Sequence, residues 1–279
     1  SMARVLTGIQ STFVPHLGNI LGAIRPAVRM SGTPGNDAFL FIADLHSFTT
    51  MRDPQVLRDN TYAVAASWLA CGLDVNAVTF YRQSDVPEVA ELTWYLGCLT
   101  PYPMLANAHS FKDKSDRLSA VNAGLFYYPV LMAADILIFN ANEVPVGRDQ
   151  IQHIEMARDM ANSFNHRYGE HFVPPQAEIE ESVATLPGLD GRKMSKSYDN
   201  TIPLFATRDQ LKKLIAGIVT DSRAPGEPKD TEGSALFQIY QAFANEEETQ
   251  SLRKAYADGI AWGDAKQILL ERIDREIAP

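Results

Sequence analysis

Ala38-Phe39-Leu40-Phe41-Ile42-Ala43 runs without a polar break. A strand with one wet face alternates polar and apolar residues, whereas an unbroken apolar run belongs to a strand covered on both faces, as at the centre of a parallel sheet. Upstream, residues 31–37 (SGTPGND) are turn chemistry. Before them an apolar helix begins near Gly18, and Arg4–Gln10 reads as a short buried strand through Val5, Leu6 and Ile9. Downstream, Asp53-Pro54 is a helix start, a capping side chain followed by proline in the first turn. Leu57, Val64, Trp68 and Cys71 then keep helical spacing. Ala77–Tyr81 reads as another strand, with Ser84 or Asp85 placed to cap the helix after it.

Further along, Leu118, Val121 and Leu125 fall on one face of a helix, and Asp135 stands just before the apolar residues 136–139 (ILIF). A long helix runs from Arg148 to Tyr168, with Gly169 placed to end it. Strands alternating with helices predict an α/β fold, a doubly wound parallel sheet that binds ligands at the carboxyl ends of its strands. Beyond about residue 205 only helices are expected: Asp209–Val219, Ser234–Ala244, Glu246–Tyr256 and Asp264–Ile277. The reading is therefore a sheet domain over 1–205 and a C-terminal helical domain over 206–279, with a polar, mobile loop at 222–233 (SRAPGEPKDTEG). Ser1-Met2 has the look of a remnant of tag removal. The last helix stops abruptly at Ala278-Pro279, so the expectation is a shortened chain.

Composition narrows the class. Of 279 residues, 46% are hydrophobic and 21% charged, ordinary for a globular protein, and the formal net charge is −9. An acidic chain binds nucleic acid only through a local basic surface. Cys71 and Cys98 form no CxxC pair, which argues against a zinc or iron–sulfur site. Both sit in apolar, helix-like surroundings and read as buried free thiols, which suits a reducing cytoplasm. Arg4 and Gln10 interrupt the early apolar run, so no signal peptide is expected, and no stretch is long enough to span a membrane. A dinucleotide oxidoreductase would need GxGxxG after the first strand, and none is present.

Two segments carry the chemistry. Gly8-Ile9-Gln10-Ser11-Thr12 and Pro15-His16-Leu17-Gly18-Asn19 follow the first strand and open the first helix. A helix start offers free N–H groups and partial positive charge, which suit phosphate. Gly18 lets a flat base approach the backbone, and His16 and Asn19 add polar groups. A capped turn with a chance histidine fits this segment equally well by itself. Far downstream, Lys193-Met194-Ser195-Lys196-Ser197 follows Gly188, Gly191 and Arg192. Its lysines and hydroxyls can wrap a triphosphate and stabilise charge on departing pyrophosphate. Alone, it reads equally as a solvated basic loop.

Together the two segments resemble the HIGH and KMSKS signatures of class I aminoacyl-tRNA synthetases. KMSKS matches in full. The first signature reads HLGN, a departure typical of the branch that handles tryptophan. Tyr128-Pro129-Val130-Leu131-Met132-Ala133-Ala134-Asp135-Ile136-Leu137 and Val144-Pro145-Val146-Gly147-Arg148-Asp149-Gln150-Ile151-Gln152-His153-Ile154-Glu155 resemble that branch's YPxxMAADIL and VPVGxDQxQHxE blocks. Gly8-Ile9-Gln10, Asp44-Leu45-His46 and residues 111–115 (FKDKS) match in the same order. The chain is identified as a member of the bacterial-type tryptophanyl-tRNA synthetase family, densely to residue 200 and more thinly in the helical tail. Tyrosyl-tRNA synthetases share both signatures, and the 128–155 blocks argue against them. Intact His16, Gly18, Lys193, Lys196 and Asp135 argue against a catalytically silent paralogue.

The resemblance implies a Rossmann-like catalytic domain that activates L-tryptophan with ATP and passes it to tRNA(Trp). His16, Lys193 and Lys196 would be catalytic. Gln10, Ser11, Thr12, Gly18, Asn19, Gly147, Arg148, Asp149, Leu186, Met194, Ser195 and Ser197, with both lysines, would bind ATP. Asp135, Tyr128, Met132, His46, Gln150 and Gln10 would bind tryptophan. Lys112 and Lys114 are candidates to reach phosphate. Mg²⁺ would arrive on the ATP phosphates, with no protein ligand. The implied protein is a cytoplasmic homodimer whose helical domain faces the anticodon. Chemistry agrees on Asp135: indole N–H only donates, and a desolvated carboxylate is its strongest acceptor.

Overall fold

The computed structural model describes residues 2–12, 14–117, 120–179 and 185–277. In chain order the elements are β1 (Ala3–Ile9), α1 (Leu17–Asn19), a π turn over Ile20–Ile24, α2 (Arg25–Ser31), β2 (Asn36–Ile42), α3 (Asp44–Ser47), α4 (Pro54–Ala70), β3 (Thr79–Arg82), α5 (Glu88–Cys98), α6 (Tyr102–Ala106), α7 (His109–Arg117), α8 (Ala123–Leu137), β4 (Glu143–Val146), α9 (Ile151–Tyr168), β5 (Gln176–Ile179), α10 (Arg208–Ala216), α11 (Ala235–Phe243), α12 (Glu246–Ala257) and α13 (Trp262–Ile277).

The strands form one parallel sheet in the order β3-β2-β1-β4-β5. The expected doubly wound fold is what the chain adopts. The order reverses between β1 and β4, and such folds bind ligands outside the carboxyl ends of the strands at that reversal. Gln10 follows β1 there, and Gly147 follows β4.

Contacts divide the chain into two compact units, Ser1–Phe13 with Ala27–Ser182, and Val14–Pro26 with Val183–Pro279. The sheet and α3–α9 belong to the first. Its core joins Leu6, Phe39 and Phe41 of the sheet to Val130, Ala133, Leu137, Ile154 and Ala157 of α8 and α9. The second unit packs α13 against α10 and α11 over Leu211, Ile215, Leu236, Ile239, Leu269 and Ile273. The sequence reading draws one boundary near 205, but here 183–205 and 14–26 group with the helices. Backbone bonds from Leu17 N–H to Ile202 O (3.0 Å) and from Leu204 N–H to Pro15 O (3.1 Å) explain part of this grouping. Arg25 adds a 2.7 Å ion pair to Glu276 and a cation–π contact with Phe243, 5.1 Å from the ring centroid.

Several local expectations hold. Asp53 caps α4 by accepting from Gln55 and Val56 N–H, and Gly169 ends α9 at φ 90°. Others are corrected. Neither Ser84 nor Asp85 caps α5, because Pro87 opens that helix and the Asp85 carboxylate is bonded to Arg82. Val121 lies between α7 and α8 rather than on a helix, Asn122 caps α8, and Leu118 is outside the described residues. Cys98 is exposed and Cys71 half-buried, so the buried-thiol reading fails for both. The loop at 222–233 is anchored at Lys229, whose buried ammonium donates to Ala224 O and Glu227 O at 3.0 Å each. Two strands escaped the sequence reading, β4 and β5. No helix is long and apolar enough to cross a membrane among the described residues.

Candidate active site

In the first unit the sheet's carboxyl edge gathers a buried polar network. Asp135 lies near the end of α8, among Ala133, Ala134 and Ile136, and is 3% exposed. Burial raises its carboxyl pKa well above the ordinary value, opposed by a hydrogen bond from Gln83. Gln83 Nε2 donates to Asp135 Oδ1 at 3.0 Å and Oδ2 at 2.8 Å. The same nitrogen is 2.8 Å from His46 Nδ1, and Asp135 Oδ2 is 3.6 Å from that ring nitrogen. His46 lies in α3 with its ring against Tyr128, centroids 4.2 Å apart.

Tyr128 precedes Pro129, which removes one backbone donor inside α8. Its hydroxyl accepts from Gln10 Nε2 at 2.6 Å, and burial raises its pKa. The His153 ring also lies near Tyr128, centroids 5.9 Å apart. His153 Nδ1 is 2.8 Å from Gln150 Oε1, and its Nε2 is 2.7 Å from Ser110 Oγ. Met132 packs half-buried against the core cluster. The structure thus brings together the predicted tryptophan residues Gln10, His46, Tyr128, Asp135 and Gln150.

The predicted ATP residues divide between the units. Ser11 is fully buried against Ser47, its N–H 2.8 Å from that hydroxyl, and Thr12 follows half-buried. Gly147 precedes a short helical turn over Arg148–Gln150 that carries Asp149.

In the second unit, His16 Nδ1 accepts from Gly18 N–H at 3.0 Å, while the Asn19 side chain accepts from His16 N–H at 2.8 Å. Because Nδ1 accepts there, a neutral His16 ring carries its proton on Nε2. Burial lowers the pKa of His16, favouring that neutral form. A Cβ at Gly18 would stand 2.8 Å from His16 Cε1 and 3.7 Å from Met194 Cβ, so the turn and the KMSKS segment meet where glycine is required. Leu186 and Met194 are buried, and Met194 N–H donates to Leu186 O at 2.7 Å. That carbonyl is thereby engaged, in a residue expected to bind ATP. Lys193, Lys196 and Ser197 are exposed, and Ser195 Oγ lies 2.9 Å from Ser197 Oγ.

Two buried residues escaped sequence reading. Gln83 is one. Asn200 is the other: its Oδ1 accepts from Ser195 N–H at 2.9 Å, and its Nδ2 donates to Asp190 Oδ1 at 2.7 Å and Lys193 O at 3.0 Å. A lone Gln or Asn outside a motif has no sequence signature; only its partners reveal it. Lys112 is exposed in α7, and the side chain of Lys114 is outside the described residues.

A parallel sheet whose strand order reverses between β1 and β4 is common to many nucleotide-binding folds. The HLGN turn and the KMSKS loop, meeting within one unit, narrow the class to the class I synthetases. The chain belongs to the family described as tRNA synthetases class I (W and Y), matched over residues 1–276. It is 60% identical over 285 residues to a tryptophan–tRNA ligase of Xylella fastidiosa, covering 99% of this chain and 66% of that protein. A tryptophan–tRNA ligase of Xanthomonas campestris is 62% identical with the same coverage. This chain thus spans 66% of the length of these relatives. Among solved structures, tryptophanyl-tRNA synthetase from Campylobacter jejuni, complexed with ADP and tryptophan, matches at 44% identity and TM-score 0.92, covering 98% of this chain and 86% of that one. A tyrosyl-tRNA synthetase from Archaeoglobus fulgidus matches at TM-score 0.68 and 17% identity, a likeness of fold alone.

Proposed function

We propose that this chain carries the activity of a tryptophan–tRNA ligase. It activates L-tryptophan with ATP and transfers the product to tRNA(Trp). The observation that carries this reading is Asp135, a buried carboxylate with a raised pKa near the end of an apolar helix. A pocket built around an acceptor of this kind rewards an indole N–H and penalises a phenyl ring that leaves the carboxylate unpaired. Tyr128, Gln10, Gln150 and His46 take the amino acid's ammonium and carboxylate, and Met132 packs on the indole. The tyrosyl alternative lacks this match to the 128–155 blocks.

The tryptophan carboxylate oxygen attacks the α-phosphorus of ATP, forming one O–P bond. The bond to the bridging oxygen breaks, and the electron pair leaves with pyrophosphate. A terminal ribose hydroxyl of the tRNA then displaces AMP from the adenylate. The enzyme needs no nucleophile of its own, so its contribution is positioning and charge stabilisation. His16, through Nε2–H, and the exposed Lys193 and Lys196 stabilise the phosphates. Ser195, Ser197 and the backbone from Gly18 to Asn19 add hydrogen bonds. Gln10, Ser11, Thr12, Gly147, Arg148, Asp149, Leu186 and Met194 complete the ATP contacts. Closure of the KMSKS loop over ATP belongs to this reading.

The loop's ammonium and hydroxyl groups are suited to the ATP phosphates, and Mg²⁺ carried on those phosphates would offset their charge. A homodimer also belongs to the reading, supported by the exposed Trp94, Tyr95 and Tyr102. So does a cytoplasmic location, with the helices after residue 206 on the anticodon side. Calorimetric titration with L-tryptophan and L-tyrosine tests the pocket. Tryptophan binding without tyrosine binding supports it, and the reverse overturns it.

A further inference from the structure

We infer that Gln83 is the positioning residue of this pocket, holding Asp135 as a hydrogen-bond acceptor and fixing the tautomer of His46. It would set amino-acid specificity without touching the amino acid. The inference rests on the tryptophan reading of Asp135 but stands on separate geometry.

Gln83 is fully buried in the turn after β3. Its Oε1 accepts from Leu45 N–H at 3.0 Å and His46 N–H at 3.2 Å, two amides in the first turn of α3. Those donors fix the orientation of the side-chain amide. Flipped, it would aim N–H at N–H, and oxygen at a carboxylate. The NH₂ group therefore points at Asp135 and His46, with one hydrogen for the carboxylate and one for His46 Nδ1.

Two consequences follow. A donor facing both Asp135 oxygens favours the carboxylate over the neutral acid. A donor facing Nδ1 requires a lone pair there, so the His46 proton sits on Nε2. Without Gln83, a proton on Nδ1 would bridge His46 and Asp135 across their 3.6 Å separation, and the carboxylate would be spent on the histidine. Other groups act on Asp135 through charge, whereas Gln83 acts through hydrogen bonds to its carboxyl oxygens. Asp44, in α3, raises its pKa by charge repulsion, while Tyr81 of β3 and Tyr128 of α8 interact with it electrostatically.

Gln83→Glu is the test. It keeps an acceptor for the α3 amides, so the fold is retained, and it replaces the donor with a second carboxyl group that must share a proton with Asp135. The expected result is a fall of ten- to a hundredfold in kcat/KM for tryptophan at pH 7, on the order of one hydrogen bond to a charged group. KM for ATP should change less than twofold. The Asp135 carboxyl, followed by ¹³C NMR of aspartate-labelled protein, should titrate about one to two pH units higher than in the parent. Gln83→Met, which removes the donor without adding charge, should shift the titration in the same direction.

An unshifted Asp135 titration in both variants overturns the inference, as does tryptophan kcat/KM within twofold of the parent. If the parent showed no tryptophan-dependent turnover but the titration shifted, the positioning role would stand and the substrate reading would fall.

Discussion

Replacing Asp135 with asparagine separates recognition from stability. Asparagine has nearly the same shape, and its oxygen can still accept from Gln83. It loses the charge-assisted bond that the indole N–H would make. A hydrogen bond to a charged partner contributes about 1.5–3 kcal/mol, so kcat/KM for tryptophan should fall about 10- to 150-fold. Stability should move the other way. The Asp135 pKa lies above its ordinary 3.8 in the folded protein. A raised acid pKa means that the folded state binds more protons than the unfolded state between the two values, so its stabilising effect is complete below 3.8 and lost as pH rises through the folded value. Asp135→Asn removes that loss. Its melting temperature relative to the parent should therefore be higher at pH 8 than at pH 5. Steady-state pyrophosphate exchange and scanning calorimetry at both pH values read the two effects. Equal losses toward ATP and tryptophan, or a melting deficit that grows with pH, would refute the reasoning.

Asn200→Ala cuts four side-chain bonds to Asp190, Arg192, Lys193 and Ser195 that shape the KMSKS segment and the turn before it, each contributing about 1 kcal/mol or less. Adenylate formation should drop at least about tenfold with tryptophan affinity intact, and amide exchange at Ser195 should accelerate; unchanged protection there would count against the role. Gly18→Ala places a methyl carbon 2.8 Å from the His16 ring. It should lower kcat for exchange about a hundredfold by displacing a phosphate donor, and near-parental kcat would show that His16 is not needed there. Trp68 is buried, and its indole N–H finds no hydrogen-bond partner among the described residues. Trp68→Phe should therefore cost less than about 1 kcal/mol in urea unfolding and Trp68→Ala about 3–5. Similar costs for the two would mean that the N–H is satisfied in solution.

What could be read in the sequence depended on how local its cause was. The apolar run of β2 and the Asp53-Pro54 start of α4 are set by neighbouring residues, and both were legible. β4 was not. Pro145 lies in a strand between two neighbours, where proline is usually excluded, and β1 pairs with it only at Val5 and Glu143. β5 is a short strand of mixed polarity at the sheet edge. The cap expected at Ser84 or Asp85 was lost to other partners, since Asp85 binds Arg82 three residues back and Ser84 binds Asp44, 40 positions away. Asp135, Tyr128, His46 and Gln10 were legible because they sit in ordered motif blocks. Gln83 and Asn200 acquire their importance from partners 37 and 52 positions away for the first, and from a folded loop for the second.

Amino-acid-dependent ATP–pyrophosphate exchange, run in parallel with tryptophan, tyrosine and phenylalanine, tests the central claim most directly. The account predicts exchange with tryptophan and none above background with the other two. Exchange driven by tyrosine, or by none of the three, would contradict it.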